Sequence, residues 1–368
     1  MNNNIILFVV FLFSSLFIVI ELWAFMHTYN SFKVNLKEGI EVLDQRRLKF
    51  QKYLKDFNKS YEDDEHERRF ENFKASLKDI ARLNKLEGRK VFGLTKFSDM
   101  SKEEFVERML LKPIGHPCVS KYLNCTKTER ESLSEDGVRF VDRYDDKEPP
   151  ESFDWRNTKG VVNEILNQKR CRGCWAFSIV GVIESMSVIL KNDHEHRSIQ
   201  ELLDCSEYNN GCDGGSVSKA MDYTCIHHMP FVPDQEYPLT LAVKRICKLP
   251  VNATGRRVQE YAYQCNLDEN KMVKQVAFHG PLVVAVDATN WLNYIGGVIT
   301  RACWPGIGNH VVQLIGYVGY GTHNESVIPH YILKNSYGED FGENGYVKIA
   351  MHKNTCGIRD EVTMLSVY

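Results

Sequence analysis

The sequence predicts an α+β protein, its helical and β parts largely separate along the chain, on three observations. Residues 36 to 112 are dense in charge, and positions there recur every three or four residues, the period of helices lying on a core. The run of apolar and small residues from Trp175 to Ile183 reads as the start of a buried helix. Met272–Asp287 and His310–Tyr320 carry the β-branched and aromatic content of strands, with glycine-containing turns between. The 368 residues suffice for two or three domains, and 43% apolar content supports a substantial core. Basic and acidic residues number 46 and 48, so nothing electrostatic points to nucleic acid. Eleven cysteines are many for a cytosolic enzyme and suit an oxidising compartment.

In chain order, Ile5–Ile20 is uncharged and almost wholly apolar, and Glu21 and Leu22–Met26 follow. Residues 1–26 read as a signal peptide or a signal anchor. The run is long for a signal peptide and lacks a clean small-x-small cleavage site, which favours an anchor. Glu21 inside the span favours cleavage. Both readings send the chain into the secretory pathway, to a lysosome or endosome or to the outside, and only the anchor ties it to a membrane. N-x-S/T sequons at Asn58, Asn124, Asn252 and Asn324 are compatible with that route.

Within residues 36–112, Glu65, Arg69, Phe73, Ser76, Ile80 and Asn84 fall on one helical face. Gly93, Thr95, Phe97 and Asp99 alternate, which suits a short strand. Residues 113–149 form a polar linker with Pro113, Pro117 and a charge-dense run Asp142–Glu148. Cys118 and Cys125 lie in it and can pair with each other.

The chemistry centres on Gln168-Lys169-Arg170-Cys171-Arg172-Gly173-Cys174-Trp175-Ala176-Phe177-Ser178. Cys174 stands at the N-terminus of the expected helix, where the macrodipole favours thiolate, the nucleophilic form. Cys171 and Cys174 also make a CxxC, open to a redox pair or half a zinc site. A zinc site wants a second ligand pair at similar spacing, and none follows. A redox motif wants a small βαβ domain, and this chain is far longer.

The stretch from Gln168 to Ser178 resembles the active-site segment of papain-family cysteine proteases, with Arg172 and Gly173 as departures. Asn309–Tyr317 resembles that family's histidine segment and His330–Gly338 its asparagine segment. His310 lies 136 residues after Cys174 and Asn335 161 after, against about 130–150 for such partners. A longer loop around Thr322–Pro329 accounts for the excess. The helical face Glu65, Arg69, Phe73, Ile80 and Asn84 resembles the E-R-F-N-I-N signature of cathepsin L-like inhibitory propeptides, with Ser76 for asparagine. Gly93, Phe97 and Asp99 resemble its G-x-N-x-F-x-D motif, with Thr95 for asparagine.

The resemblance implies a cathepsin L/F-like zymogen with an α+β, papain-like two-lobed fold. A helical inhibitory prodomain over 36–112 and a linker with the activation region over 113–149 precede a peptidase domain over 150–368. A helical lobe, about 157–258, carries Cys174, and a β lobe, about 259–360, carries His310 and Asn335. Cys174 is the implied nucleophile, His310 its acid–base partner, Asn335 the group orienting the imidazole, and Gln168 the oxyanion donor. The implied disulfides are Cys171–Cys212, Cys205–Cys247 and Cys303–Cys356. Cys225 and Cys265 either bridge each other or stay as thiols. The implied partners are polypeptide substrates, the chain's own propeptide as inhibitor, and cystatin-type inhibitors, for a monomer without nucleic acid, metal or cofactor.

Gly214 and Gly215 resemble a glycine wall that binds extended peptide. Ser216, Val217, Ala285, Val311 and Glu361 match positions lining the family's main apolar pocket, with Glu361 at its floor or turned to solvent. Tyr337, also counted with the substrate-binding residues, stands for the tryptophan that shields the Asn–His bond, and Phe341 for another nearby. Arg172 sits beside the first specificity pocket and costs strain if its backbone is left-handed. Asp99 is a candidate for the pH trigger of self-activation. No histidine-bearing insertion of the exopeptidase kind is present, so endopeptidase activity is expected. Two rivals stand beside it: a silent homologue acting as a binding protein, and a redox protein using Cys171 and Cys174.

Overall fold

A computed structural model describes residues 23–29, 32–33, 44–112, 118–126, 140–240 and 246–368. The targeting segment lies outside them except for 23–26, part of a short exposed helix. Two compact units divide the chain at Lys74 and Ala75.

The first unit is built on helix α1, residues 44–56, and the opening turns of the long helix α2, Asp63–Glu87. Its core is aromatic: Phe50, Tyr53, Phe70 and Phe73 are all buried. Phe50 lies 5.4 Å from Phe70 and 5.2 Å from Phe73 between ring centroids, tilted rather than face to face, as ring quadrupoles prefer. Glu65 and Arg69 pair one turn apart at 3.0 Å, and the Arg69 guanidinium lies over the Tyr61 ring.

Among the described residues, the second unit is organised by a nine-stranded sheet. Its strands are β1 Lys121–Asn124, β2 Phe153–Asp154, β3 Val258–Cys265, β4 Leu282–Val286, β5 Val298–Ile299, β6 His310–Val318, β7 His330–Lys334, β8 Tyr346–Ala350 and β9 Glu361–Val367. The order across the sheet is β1-β3-β9-β4-β6-β7-β8-β5, with β2 added on β6. Alternating side chains feed two separate cores, the period-two consequence of the pleat. Leu282, Val284, Val286, Val312, Leu314, Val362 and Met364 face one core. Val283, Val311, Tyr261, Tyr263 and Leu365 face the other, against a helix spanning Cys174–Lys191. The sheet is not confined to 259–360: β1 and β2 enter from upstream and β9 from downstream.

Three expectations are corrected. Met272 is helical: α3 Lys102–Met109 is followed by α4 Cys174–Lys191, α5 Ile199–Cys205, α6 Val217–Ile226 and α7 Glu269–Phe278. Met272, Val273, Val276 and Ala277 fit a 3.6-residue stripe, and Asp268 caps the helix by accepting from the N–H of Asn270 and Lys271. Only Leu282–Val286 of the expected stretch is strand. The alternation from Gly93 to Asp99 makes no strand either. Phe92 bridges to Tyr294, and residues 96–99 form a turn. Ser98 Oγ accepts from the Thr95 N–H at 2.9 Å and Thr95 Oγ1 from the Phe97 N–H at 3.1 Å, a local alternative to a ladder.

The third correction concerns the linker. Cys118 bonds Cys265 and Cys125 bonds Cys225, so neither upstream pair nor downstream pair is internal. Bridges also join Cys171 to Cys212, Cys205 to Cys247 and Cys303 to Cys356. Cys174 is the free thiol.

Candidate active site

Cys174 begins α4, and Gly173 before it offers no side-chain cap. A Cβ on Gly173 would sit 2.9 Å from Cys171 Sγ and 3.1 Å from Leu203 Cδ2, so the bridge and the helix start close only around glycine. The Cys174 thiol is fully buried, which pushes it up to about 12 despite hydrogen bonds from the backbone at Val311, Trp175 and Cys174 itself. The bond from Val311 ties the sulfur to the backbone at the start of β6, one residue after His310.

His310 is also fully buried. Its Nε2 lies 2.7 Å from Asn335 Oδ1. A side-chain carbonyl only accepts, so Nε2 carries the proton and Nδ1 is left as acceptor. Burial pulls the imidazole down to about 4, against the Asn335 bond that raises it. Tyr337 stacks on the ring at 4.8 Å and 30°, and its hydroxyl stands 3.5 Å from Nδ1. Trp291 meets the ring edge-on at 5.8 Å. Burial therefore favours the neutral form of both the thiol and the imidazole.

Residues 109–111 run into the same place. Gln168 Nε2 donates to the Met109 carbonyl at 3.3 Å and to the Cys171 carbonyl at 2.9 Å, while Ser336 donates to its Oε1. The Leu111 N–H donates to the Asn309 carbonyl at 2.6 Å. Leu111 Cδ2 would lie 3.4 Å from a Cβ on Gly214, whose φ of +115° already favours glycine. Upstream, Asn84 clamps the chain: its Oδ1 accepts from the N–H of Val91 and Phe92, and its Nδ2 donates to the Phe92 carbonyl. Ile80 packs against the neighbouring core. The Gly93 N–H donates to the Asn293 carbonyl, and a Cβ there would meet Ile295 at 2.8 Å. Phe97 and Phe105 cover Tyr337 edge-on, and Phe341 closes the cluster. Asp99 is fully buried. Glu87 accepts from the N–H of Thr300, Arg301 and Ala302 and from the Thr300 hydroxyl, all within 3.0 Å.

Gly215, Ser216, Val217, Ala285, Val311 and Glu361 line one cavity of about 300 Å³, with Leu111 and Tyr263. Glu361 therefore borders the cavity, and its carboxylate takes a hydrogen bond from the Tyr263 phenol, which burial and that carboxylate hold well above its usual range. Tyr337 stands elsewhere, under Phe97 and Phe105. Arg172 pairs with exposed Asp213 at 3.3 Å, and its backbone is outside the left-handed region, so it carries no strain. Sequence reasoning missed Met109, Leu111, Trp291, Ser336 and Glu87. Ser336 had a signal, its place next to Asn335. The others carry none, because long-range contact alone brings them here.

Comparison with known proteins accords with this arrangement. Residues 149–366 match the family described as papain family cysteine protease, and residues 50–105 match the cathepsin propeptide inhibitor domain. Human cathepsin O is 39% identical over 220 residues, covering 59% of this chain and 66% of that protein. Cysteine proteinase 1 of Dictyostelium discoideum is 32% identical over 342 residues, covering 88% and 93%. Among solved structures, recombinant stem bromelain precursor superposes with a TM-score of 0.69 at 28% identity, covering 88% of this chain and 99% of that one. Digestive procathepsin L 3 of Tenebrio molitor gives 0.66 at 28%, covering 87% and 99%. The chain belongs to the papain family of cysteine proteases, as a zymogen that carries a cathepsin-type inhibitory propeptide.

Proposed function

We propose that Cys174, His310, Asn335 and Gln168 carry out the endopeptidase reaction. The observation that carries this is His310 Nε2 fixed by Asn335, with the Cys174 thiol bonded to the backbone of the next residue, Val311, and the Met109 carbonyl resting on the Gln168 amide. Once the prosegment leaves, water returns and the burial penalty on both groups falls. The thiol proton passes to Nδ1, and the thiolate–imidazolium pair forms at the helix N-terminus. The thiolate adds to the scissile carbonyl. Gln168 Nε2–H and the Cys174 N–H donate to the tetrahedral oxyanion, a donor type whose loss costs about 10²–10³ in rate. His310 gives its proton to the departing amine, leaving a thioester. It then takes a proton from water, whose oxygen displaces Cys174 and frees the acid.

Glu65, Arg69, Phe73, Ile80, Asn84, Gly93, Phe97 and Asp99 act as the inhibitory framework of prodomain 36–112. The cavity bordered by Ser216, Val217, Ala285, Val311 and Glu361 takes a bulky apolar side chain, with Glu361 admitting arginine as well. Leu111 beside it supports the apolar preference. Five disulfides support passage through the secretory pathway. Residues 1–26 act as the targeting segment, and cystatin-type proteins are expected inhibitors of the monomer. The test is hydrolysis of a fluorogenic peptide by acid-treated zymogen beside Cys174→Ala. Activity that appears with prosegment loss and is missing in the variant supports the assignment. A folded, processed wild type inert across a peptide library overturns it.

A further inference from the structure

Residues 118–126 lie upstream of the peptidase domain in sequence, yet they are built into it. Lys121–Asn124 pairs antiparallel with β3, from Lys121 opposite Tyr263 to Asn124 opposite Glu260, and forms the edge of the sheet. The Cys125 N–H donates to the Gln259 carbonyl at 2.8 Å, and Ser120 Oγ accepts from the Cys265 N–H at 2.9 Å. Tyr122 is buried and donates to Glu260 at 2.6 Å, while Lys121 pairs with Asp222. Two bridges, Cys118–Cys265 and Cys125–Cys225, fasten the two ends of the strand. Cys125 and Cys225 are both about 4% exposed, so that bridge is shielded from small reductants.

The same segment touches the substrate side. Cys118, Val119 and Lys121 border the cavity that Ser216, Ala285 and Glu361 also line. A single cut before Phe153 leaves the inhibitory stretch tied by two disulfides, at an effective concentration of order millimolar, so it competes with substrate without dissociating from the protein.

We propose that the active enzyme keeps residues 118–126 as a disulfide-fastened edge strand that forms one wall of its main side-chain pocket, and that release from inhibition needs a cut on the N-terminal side of Cys118. Any second cut near residue 150 then yields a two-chain enzyme held by Cys118–Cys265 and Cys125–Cys225. Each cut is ordinary hydrolysis, with one water consumed per peptide bond, and no redox step enters. This rests on the cysteine-protease reading for the identity of the pocket but not for the fate of the strand.

The test is the intact mass of the processed protein, purified without reductant, before and after reduction. Wild-type zymogen is processed by its own acid activation, and Cys174→Ala zymogen by a trace of pepsin, so the readout does not need this chain's activity. The expected non-reduced mass includes residues 118–126, and peptide mapping finds both bridges. A processed protein that has lost Cys118 and Cys125 while its active-site thiol alkylates freely overturns the proposal. For the pocket wall, Val119→Gly and Lys121→Ala are compared with wild type on Leu- and Arg-containing substrates. The expected change in the ratio of kcat/KM values is about tenfold, the size of one lost pocket contact. An unchanged ratio in both variants overturns the wall. A retained strand in a protein that cleaves nothing refutes the protease assignment alone.

Discussion

Glu87 holds the end of the prosegment helix against the peptidase part, and replacing it isolates that contact. Its carboxylate takes hydrogen bonds from three successive N–H groups, at 3.0, 2.9 and 2.7 Å, and from the Thr300 hydroxyl at 2.6 Å. Its side chain has no exposed surface in the pair it also makes with Arg89. A charge-assisted hydrogen bond of this kind contributes about 1.5–3 kcal/mol. Glu87→Gln keeps one neutral acceptor and turns an NH₂ toward N–H donors, so at least one such bond is lost and a donor is left facing a donor. A cost of about 2–4 kcal/mol opens the prosegment roughly a hundredfold more often. The assay is alkylation of the zymogen by iodoacetamide at neutral pH without reductant. Cys174 is the free cysteine, fully buried and pushed up to about 12, so labelling passes through the open state. The labelling rate should rise about a hundredfold in Glu87→Gln. A change within about twofold, the range of an ordinary surface substitution, refutes the reasoning.

Other outcomes follow from the same contacts. His310 is held from 6.5 down to about 4 by burial, so closure is favoured above 6.5 and that stability is lost as pH falls toward 4. The thermal midpoint of Cys174→Ala zymogen should drop over that interval, and an equal drop in Cys174→Ala/His310→Gln would remove His310 as a cause. Tyr337→Phe deletes a hydroxyl 3.5 Å from Nδ1, so the basic limb of the activated enzyme's pH–rate profile should move to higher pH; an unmoved limb assigns the hydroxyl no part. Gly215→Ala drives a Cβ to 2.6 Å from Trp175 and 2.8 Å from Asn209, a clash costing about 1–3 kcal/mol, read as a lower unfolding midpoint. Glu361→Ala should reduce cleavage of Arg-containing substrates relative to Leu-containing ones. Equal ratios in both proteins would turn Glu361 away from recognition.

Local chemistry made much of the molecule legible in the sequence. The buried helix after Cys174 was written in nine consecutive apolar and small residues, and the helical face through Glu65, Arg69 and Phe73 in its spacing. Cys174, His310, Asn335 and Gln168 stand out because each sits in a segment of recognisable pattern; in the fold His310 bonds Asn335, Gln168 bonds the adjacent Ser336, and Cys174 bonds the backbone of Val311. The strand-like reading of Met272 failed because β-branched content does not separate a strand from the apolar stripe of a capped helix. Thr95 and Ser98 turned the chain where alternation suggested extension. Sequence gave no access to the partners of Cys118 and Cys125, since pairing depends on which backbones meet in space, and β1 meets β3 across more than a hundred residues of chain. The burial that favours the neutral forms of Cys174 and His310 is also set by the tertiary structure. A helix N-terminus favours the thiolate, and burial, which only the folded chain supplies, outweighs it and holds the thiol up and the imidazole down.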